Sequence, residues 1–346
     1  MTDQTLIARI RDLSTPLEPK PTGMAPWLEP LPGIKAVLFD VYGTLLISAS
    51  GDIGLSGNPP GSIDLQALLA HAGINPGINA GINAGINQER AQADPQMRHP
   101  QARLSGQDHP TSEPGRHHRN EQTPQQSPIG IQQQLRTPIG ERLSAAIRTD
   151  HARARASGRL YPEVDIRAIW STLLDAQGYQ PTAQQLEWIA LEYECRVNPV
   201  WPMPGLADVL DALRQRDLVL GIVSNAQFYT PLILEAFLRQ PPAALGLESS
   251  CSAWSYQRRE AKPSTAIFQF ALDGLARAHG IRPGQVLYIG NDRRNDIWPA
   301  QRLGLKTALF AGDARSLRLR EDDPELIGVN ADRVITELAQ VKQLIG

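Results

Sequence analysis

The chain has 346 residues and a formal net charge of −2, which is long enough for a sizeable core. The near-neutral charge gives no bulk electrostatic reason to bind nucleic acid or an anionic membrane. Cys195 and Cys251 are far apart, so their spacing indicates neither a disulfide framework nor a zinc site. No apolar run resembles a signal peptide or a membrane span. We expect a cytoplasmic protein with a small-molecule substrate, and neither nucleic acid nor membrane as a partner.

The first clear element is the short apolar run from Ile34 to Phe39, which ends at Asp40. Such a run predicts a strand that is covered on both faces, as in a parallel sheet. Residues 1–33, which precede it, end in a proline-rich stretch. Because proline resists helix and sheet, these residues are interpreted as a lead-in arm.

A low-complexity segment follows, in which the unit Gly-Ile-Asn-x occurs four times between Gly73 and Gln88. From there to about residue 134 the chain is rich in Gln, Pro, His and Arg and poor in large apolar residues. Such a composition buries too little surface to offset the entropy of ordering. We therefore predict disorder over about 76–133.

Helical patterns resume at 140–157, 164–177 and 183–196, where apolar residues recur on one face. Beyond them, helices and buried strands alternate. Helices are predicted at 206–214, 268–279 and 298–303, and strands at 218–223, 286–289 and 307–310. This alternation predicts an α/β fold with a doubly wound parallel sheet and helices on both faces. In such sheets the site lies beyond the carboxyl ends of the strands.

Polar residues follow three of these strands, where the rule places a site. They are Asp40 after the first, Ser224 and Asn225 after the second, and Asn291, Asp292 and Asp296 after the third, with Lys262 between the last two groups. Each residue alone fits a helix cap or a turn. Their joint placement favours a common functional site.

The segments that carry these residues resemble the four signatures of the haloacid dehalogenase superfamily. Phe39-Asp40-Val41-Tyr42-Gly43-Thr44-Leu45 resembles the first, and 223–225, 262–263 and 289–296 resemble the second, third and fourth in the same order. The likeness covers about 34–75 and 134–340. It implies a Rossmann-like core at 34–45 and 201–346, with the arm at 1–33. It also implies an inserted helical cap at 46–200, which contains the low-complexity insert.

A carboxylate at a strand end can attack phosphorus or carbon and form a covalent intermediate, which is the role predicted for Asp40. Attack on a phosphate needs cations and donors where negative charge accumulates. Lys262 supplies an ammonium group. Ser224 and Asn225 supply a hydroxyl and amide donors for the substrate, and the hydroxyl of Thr44 either contacts the substrate or satisfies the turn.

Asp292 and Asp296 are four residues apart, so they share a face if the chain there enters a helix. Carboxylate oxygens suit Mg²⁺. The resemblance implies that Asp40, the backbone carbonyl of Tyr42 and Asp292 bind the metal. Asp296 would steady Lys262 or a water on the metal.

Tyr42 departs from the family's phosphatases, which carry a second aspartate there as general acid and base. A tyrosine with a pKa of about 10 is a poor base at neutral pH, so phosphatase activity would lose about 10² to 10⁴ in rate. Tyrosine at this position resembles the family's 2-haloacid dehalogenases, in which halide leaves without a proton and no metal is needed.

Asp292 and Asp296 favour the metal-assisted reaction, since a carboxylate pair would repel a haloacid. We therefore expect a Mg²⁺-dependent phosphohydrolase that acts on a small phosphorylated metabolite. Two alternatives stay open: a metal-independent 2-haloacid dehalogenase-type hydrolase, and a catalytically weak binding protein.

Overall fold

The structure, a computed structural model, describes residues 2–50, 63–74 and 138–345. The disorder predicted for 76–133 lies outside these residues. The helices are α1 Asp3–Leu13, α2 Leu65–His71, α3 Ile139–Ala156, α4 Ile166–Asp175, α5 Ala183–Val197, α6 Leu206–Arg214, α7 Thr230–Leu238, α8 Ser255–Arg258, α9 Thr265–His279, α10 Trp298–Arg302 and α11 Val341–Leu344. The strands are β1 Ala36–Phe39, β2 Leu46–Ser48, β3 Val200–Pro202, β4 Val219–Ser224, β5 Ala253–Trp254, β6 Val286–Gly290, β7 Lys306–Phe310 and β8 Arg333–Ile335.

Six of the strands form a parallel sheet in the order β5-β4-β1-β6-β7-β8. The predicted α/β fold with a doubly wound parallel sheet is confirmed. Strand β1 lies in the middle, where Phe39 pairs with Ile222 of β4 and Ile289 of β6. The residue after β1 therefore lies between the carboxyl ends of two neighbouring strands, which is where polar residues were expected.

All four residues of β1 are buried, and successive side chains face opposite sides of the sheet. Leu38 packs on one side in a cluster with Phe268 of α9. Phe39 packs on the other side in the larger core, which also contains Leu210 of α6. Burial of one such side chain stabilises the fold by about 1.5–3 kcal/mol. Helices on both faces hold β1 in place.

Helices α3, α4 and α5 lie within two residues of the helical patterns that the sequence predicts. Each of their apolar stripes is buried; in α4, for example, Trp170 and Leu174 are fully buried. The short strands β2 and β3 pair antiparallel where the chain leaves and rejoins the sheet layer. The division of the chain into arm, core and cap domains stays a prediction.

Helix α1 lies in the segment that the sequence interpretation treated as an arm. The prolines that resist helix begin only after it, and its residues Leu6, Ile7 and Ile10 are buried against α5 and α7. Arg9 adds an ion pair with the buried Glu192 of α5, with Nη2 at 2.8 Å from Oε1. Within the described part of the chain, no helix combines the length and apolarity needed to cross a membrane.

Candidate active site

Asp40 continues the line of β1 by one residue, and its backbone N–H donates to the carbonyl of Ile289 at 2.9 Å. The turn after it depends on Gly43, whose φ of +82° lies in the left-handed region that glycine adopts without strain. A Cβ at this position would come within 2.6 Å of the side chains of Asn291 and Ser316. The glycine thus lets the turn approach the end of β6. Asp40, which begins this turn, therefore also lies close to the end of β6.

Lys262 lies between two carboxylates. Its Nζ is 2.8 Å from Oδ1 of Asp40 and 2.6 Å from Oδ1 of Asp296. Burial alone would lower the pKa of Lys262, but the charges of Asp296 and Asp40 raise that pKa above its ordinary value. Lys262 is therefore held as a cation in contact with Asp40.

Asp296 is fully buried at the foot of the pocket. Burial raises its pKa to about 7, although the ammonium of Lys262 acts in the opposite direction. The hydroxyl of Tyr288 lies 3.0 Å from its Oδ1, and the backbone N–H of Asp292 donates to its Oδ2 at 2.9 Å. A Cβ on Gly290 would come within 2.3 Å of its Cγ, so the glycine makes room for this carboxyl. These contacts hold the carboxyl of Asp296 in place beside Nζ of Lys262.

Asp292 caps the single π-helical turn Arg293–Ile297 that follows β6. Its Oδ1 accepts the backbone N–H groups of Arg294 and Asn295, at 2.8 and 3.2 Å. Its Oδ2 forms an ion pair with Arg320, whose Nη2 lies at 2.7 Å. Thus the turn holds the carboxylate by its backbone, and a guanidinium neutralises it.

Eleven described residues line one pocket above Asp40: Asp40, Tyr42, Asn225, Lys262, Asn291, Asp292, Asn295, Asp296, Ser316, Arg318 and Arg320. Three of these are acids and three are bases, so their formal charges balance. Sequence reasoning missed Arg318 and Arg320, because they lie in an irregular loop without a hydrophobic period. The left-handed φ of +51° at Arg320 is uncommon for a residue with a side chain, and could not be inferred from the residue type.

The three residues predicted to bind substrate lie in different surroundings. Asn225 lines the pocket, and its Oδ1 accepts the backbone N–H of Lys262 at 2.7 Å. Ser224 is fully buried, with its hydroxyl 3.3 Å from the carbonyl of Asn225. Thr44 is also fully buried and donates to Oδ1 of Asn291 at 3.1 Å. The geometry thus gives Asn225 a pocket position, and gives Ser224 and Thr44 contacts with pocket residues.

Tyr42 lines the pocket, but its hydroxyl is 2.9 Å from Oγ1 of Thr230. Burial and the nearby Glu194 raise the pKa of Tyr42 well above its usual value. The hydroxyl therefore cannot act as a general base at neutral pH. Glu194 itself is buried and accepts from Asn198 and Tyr229. Of the carboxylates in the described residues, those that line the pocket are the three aspartates already described.

The donor set fits a hard divalent cation such as Mg²⁺. Asp40 and Asp292 bring carboxylate oxygens to one pocket, which is the ligand type that Mg²⁺ prefers. Arg320 now contacts Oδ2 of Asp292, but its side chain is 40% exposed. A cation that binds this oxygen would displace the guanidinium from it.

The model of the haloacid dehalogenase-like hydrolase family matches residues 34–304. This range contains all four segments that resemble the family signatures, including those that carry Asp40, Lys262 and Asp292. Because the match spans well over half of the chain, the chain belongs to this family. It is a hydrolase of the haloacid dehalogenase superfamily. A search of curated proteins found no match.

Several solved structures are similar to the chain. A phosphatase of the superfamily from Thermococcus onnurineus is 16% identical with a TM-score of 0.44, covering 90% of this chain and 98% of its own. L-2-haloacid dehalogenase from Xanthobacter autotrophicus with chloropropionic acid covalently bound is 18% identical with a TM-score of 0.40, covering 90% and 98%. A hydrolase of the superfamily from Bacillus subtilis bound to magnesium is 17% identical with a TM-score of 0.40, covering 90% and 99%. Both phosphatases and dehalogenases are thus present among the similar structures.

Proposed function

We propose that the chain is a Mg²⁺-dependent phosphohydrolase with Asp40 as nucleophile and a small phosphorylated metabolite as substrate. The observation that carries the proposal is the pocket itself. In this pocket Nζ of Lys262 lies 2.8 Å from Oδ1 of Asp40, and Asp292 lines the same pocket. A cytoplasmic location and the identity of the metabolite stay predictions.

In the first step, a carboxylate oxygen of Asp40 forms a bond to phosphorus while the bond from phosphorus to the leaving oxygen breaks. The leaving oxygen takes the electron pair and then a proton from water. In the second step, water attacks the phosphorus of the aspartyl phosphate, which releases inorganic phosphate and restores Asp40. Lys262 keeps a positive charge beside the carboxylate of Asp40. In the first step this charge stabilises the phosphoryl oxygens that approach the carboxylate, and in the second step it stabilises the carboxylate as it departs from phosphorus.

Asp40, Asp292 and the backbone carbonyl of Tyr42 would hold Mg²⁺. When bound, it supplies positive charge that reduces the repulsion between a carboxylate and a phosphate dianion. Arg318 and Arg320 add two guanidinium groups to the pocket wall, and guanidinium groups suit planar, bidentate recognition of phosphate oxygens. The arginines therefore support an anionic substrate.

Proton transfer is the slow part of this mechanism. Tyr42 replaces the aspartate that would serve as general acid and base, and its hydroxyl is bonded to Thr230. Loss of such a group lowers the rate by about 10² to 10⁴. Turnover should therefore be fastest on esters with good leaving groups, such as aryl phosphates, which need no protonation to depart.

The test is phosphate release from a panel of aryl and alkyl phosphate esters, with Mg²⁺ and with EDTA. We expect Mg²⁺-dependent release that Asp40→Asn lowers at least about 10³-fold. The exposed Asp208 of α6 provides the matched control, Asp208→Asn, which should keep full activity. Release that is unaffected by Asp40→Asn would overturn the proposal.

A second candidate is a metal-independent 2-haloacid dehalogenase. Two observations favour it: Tyr42 in place of a carboxylate, and the ion pair of Arg320 with Asp292. That ion pair reduces the repulsion that Asp292 would exert on a haloacid. Here Asp40 attacks the carbon that carries the halogen, halide leaves with the electron pair, and water then hydrolyses the ester.

Halide release from 2-chloro- or 2-bromo-acids in the presence of EDTA would support this candidate and exclude the first. Turnover in neither assay, with Mg²⁺ still bound in a calorimetric titration, would instead favour a catalytically weak binding protein.

A further inference from the structure

We propose that Glu248, Cys251 and His279 form a second metal site, for Zn²⁺, that is separate from the catalytic pocket. Glu248 and Cys251 precede β5, whereas His279 is the last residue of α9. Their ligand atoms all lie within 4.8 Å of one another. Because the pocket lies beyond the carboxyl ends of the strands and these residues lie near the amino end of β5, the two sites are on different edges of the sheet.

The distances between the ligand atoms are close to those of a zinc site. Nε2 of His279 lies 2.8 Å from Oε2 of Glu248, and Sγ of Cys251 lies 4.0 Å from the same oxygen. In a tetrahedral site with Zn–ligand bonds of about 2.0–2.3 Å, ligand atoms are about 3.3–3.8 Å apart. To reach this geometry, Nε2 and Oε2 would move apart by about 0.5 Å, and Sγ would approach Nε2 from a separation of at most 4.8 Å.

The backbone around Cys251 is held between a strand and a helix. A Cβ on Gly221 of β4 would lie 2.3 Å from the carbonyl of Cys251, and a Cβ on Gly274 of α9 would lie 1.8 Å from the carbonyl of Ser250. Both glycines therefore permit contacts that no other residue allows. Because α9 is pressed against this turn, the separation of Cys251 and His279 is fixed by packed backbone, so less ordering entropy is lost on binding.

The mixture of sulfur, nitrogen and oxygen ligands favours Zn²⁺ over Mg²⁺, which selects oxygen alone. Cys251 is fully buried, and burial raises the pKa of its thiol. Zinc would displace the thiol proton to solvent, since the thiolate is the ligand form. The side chains of Glu248 and His279 are 40% and 30% exposed, so the fourth position faces solvent and suits a water molecule.

A surface ion pair between His279 and Glu248 would show the same 2.8 Å contact without any metal. Such a pair needs no thiol, and it contributes only about 0–1 kcal/mol. If metal binding depends on the thiol of Cys251, the cluster is a zinc site; if it does not, the contact is a surface ion pair.

The test uses the full chain and Co²⁺, which replaces Zn²⁺ and reports a sulfur ligand by thiolate-to-cobalt charge-transfer absorption. We expect Co²⁺ to produce this absorption, with an intensity that corresponds to one thiolate-bound cobalt per chain, and we expect Zn²⁺ to abolish it. Cys251→Ser should eliminate the absorption, whereas the matched control Cys195→Ser, in α5, should retain it. The histidines of the low-complexity segment can bind Co²⁺ but give no thiolate band, so they do not confuse the result.

Displacement of the cobalt thiolate band by Zn²⁺ in two further variants gives a second measurement, which stands even if Cys251→Ser fails to fold. Glu248→Gln and His279→Gln alter partly exposed side chains, and each should weaken Zn²⁺ affinity at least about tenfold. Absence of the thiolate band, its persistence in Cys251→Ser, or unchanged affinity in both exposed-ligand variants would overturn the proposal.

Discussion

Replacement of Lys262 by methionine tests the electrostatics of the pocket. The ammonium lies 2.8 Å from Asp40 and 2.6 Å from Asp296, and both it and Asp296 are buried. Removing one partner of a buried ion pair costs about 3–5 kcal/mol, because the other charge is left uncompensated. We expect Lys262→Met to lower the free energy of unfolding by that amount and kcat by about 10²- to 10³-fold.

The loss of stability depends on pH. The pKa of Asp296 is already raised to about 7, so its carboxyl binds protons more tightly in the folded than in the unfolded state. Protonation of Asp296 therefore stabilises the folded state fully below the ordinary carboxyl pKa of 3.8. This stabilisation is lost as the pH rises through the pKa of about 7 that Asp296 has in the folded state. Without Lys262 that pKa rises further, so the deficit of Lys262→Met should be larger at pH about 8 than at pH about 5.

Urea denaturation of four proteins measures this effect: wild type, Lys262→Met, Asp296→Asn, and the double variant. Because Asp296→Asn removes the uncompensated charge, the double variant should be more stable than Lys262→Met alone, with a coupling of about 0.5–3 kcal/mol. The reasoning would be refuted if Lys262→Met lowered the free energy of unfolding by less than about 1 kcal/mol. It would also be refuted if the two single substitutions changed that free energy additively in the double variant.

Three further predictions follow from other contacts. Tyr42→Phe removes a hydroxyl that is bonded to Thr230 rather than poised as a base, so kcat for aryl phosphates should change by less than about threefold, measured by steady-state kinetics. Ile7→Ala in α1 should lower the free energy of unfolding by about 2–5 kcal/mol in urea, since Ile7 is only 1% exposed. The partners Arg9, Arg196 and His71 outweigh the effect of burial and lower the pKa of Glu192 to about 2. Stability from this group is present above the ordinary value of 4.5 and lost as the pH falls towards 2, so Glu192→Gln should flatten the acid limb of the curve of stability against pH.

Each of these predictions has a clear contrary result. A fall in kcat of about 10² or more in Tyr42→Phe would show that the hydroxyl takes part in proton transfer. A neutral Ile7→Ala would show that α1 does not pack on the rest of the chain. An acid limb with the same slope in Glu192→Gln would assign the acid sensitivity to other carboxyl groups.

The sheet could be predicted from sequence because its strands are short apolar runs that end in polar residues. The predicted strand at 286–289 became β6 Val286–Gly290, and that at 307–310 became β7 Lys306–Phe310. Strand β5, of two residues, is too short to leave a pattern. Helix α1 does leave one, since Leu6, Ile7 and Ile10 share a face, but the prolines that follow it dominated the interpretation.

The site was partly predictable for a similar reason. Residues that follow parallel strands lie at the same edge of the sheet, so Asp40 and Asp292 could be placed together because each of them follows a predicted strand. Arg318 and Arg320 could not, because their position depends on an irregular loop and on a left-handed backbone at Arg320. The cluster at Glu248, Cys251 and His279 was also invisible, since it depends on how closely α9 approaches the turn before β5.

The most direct test of the central claim is mass spectrometry of enzyme that is acid-quenched during turnover of an aryl phosphate. The mechanism predicts one phosphoryl group on the peptide that contains Asp40, and none in Asp40→Asn. A phosphoryl group on another residue, or turnover without any adduct on Asp40, would contradict nucleophilic catalysis by this aspartate.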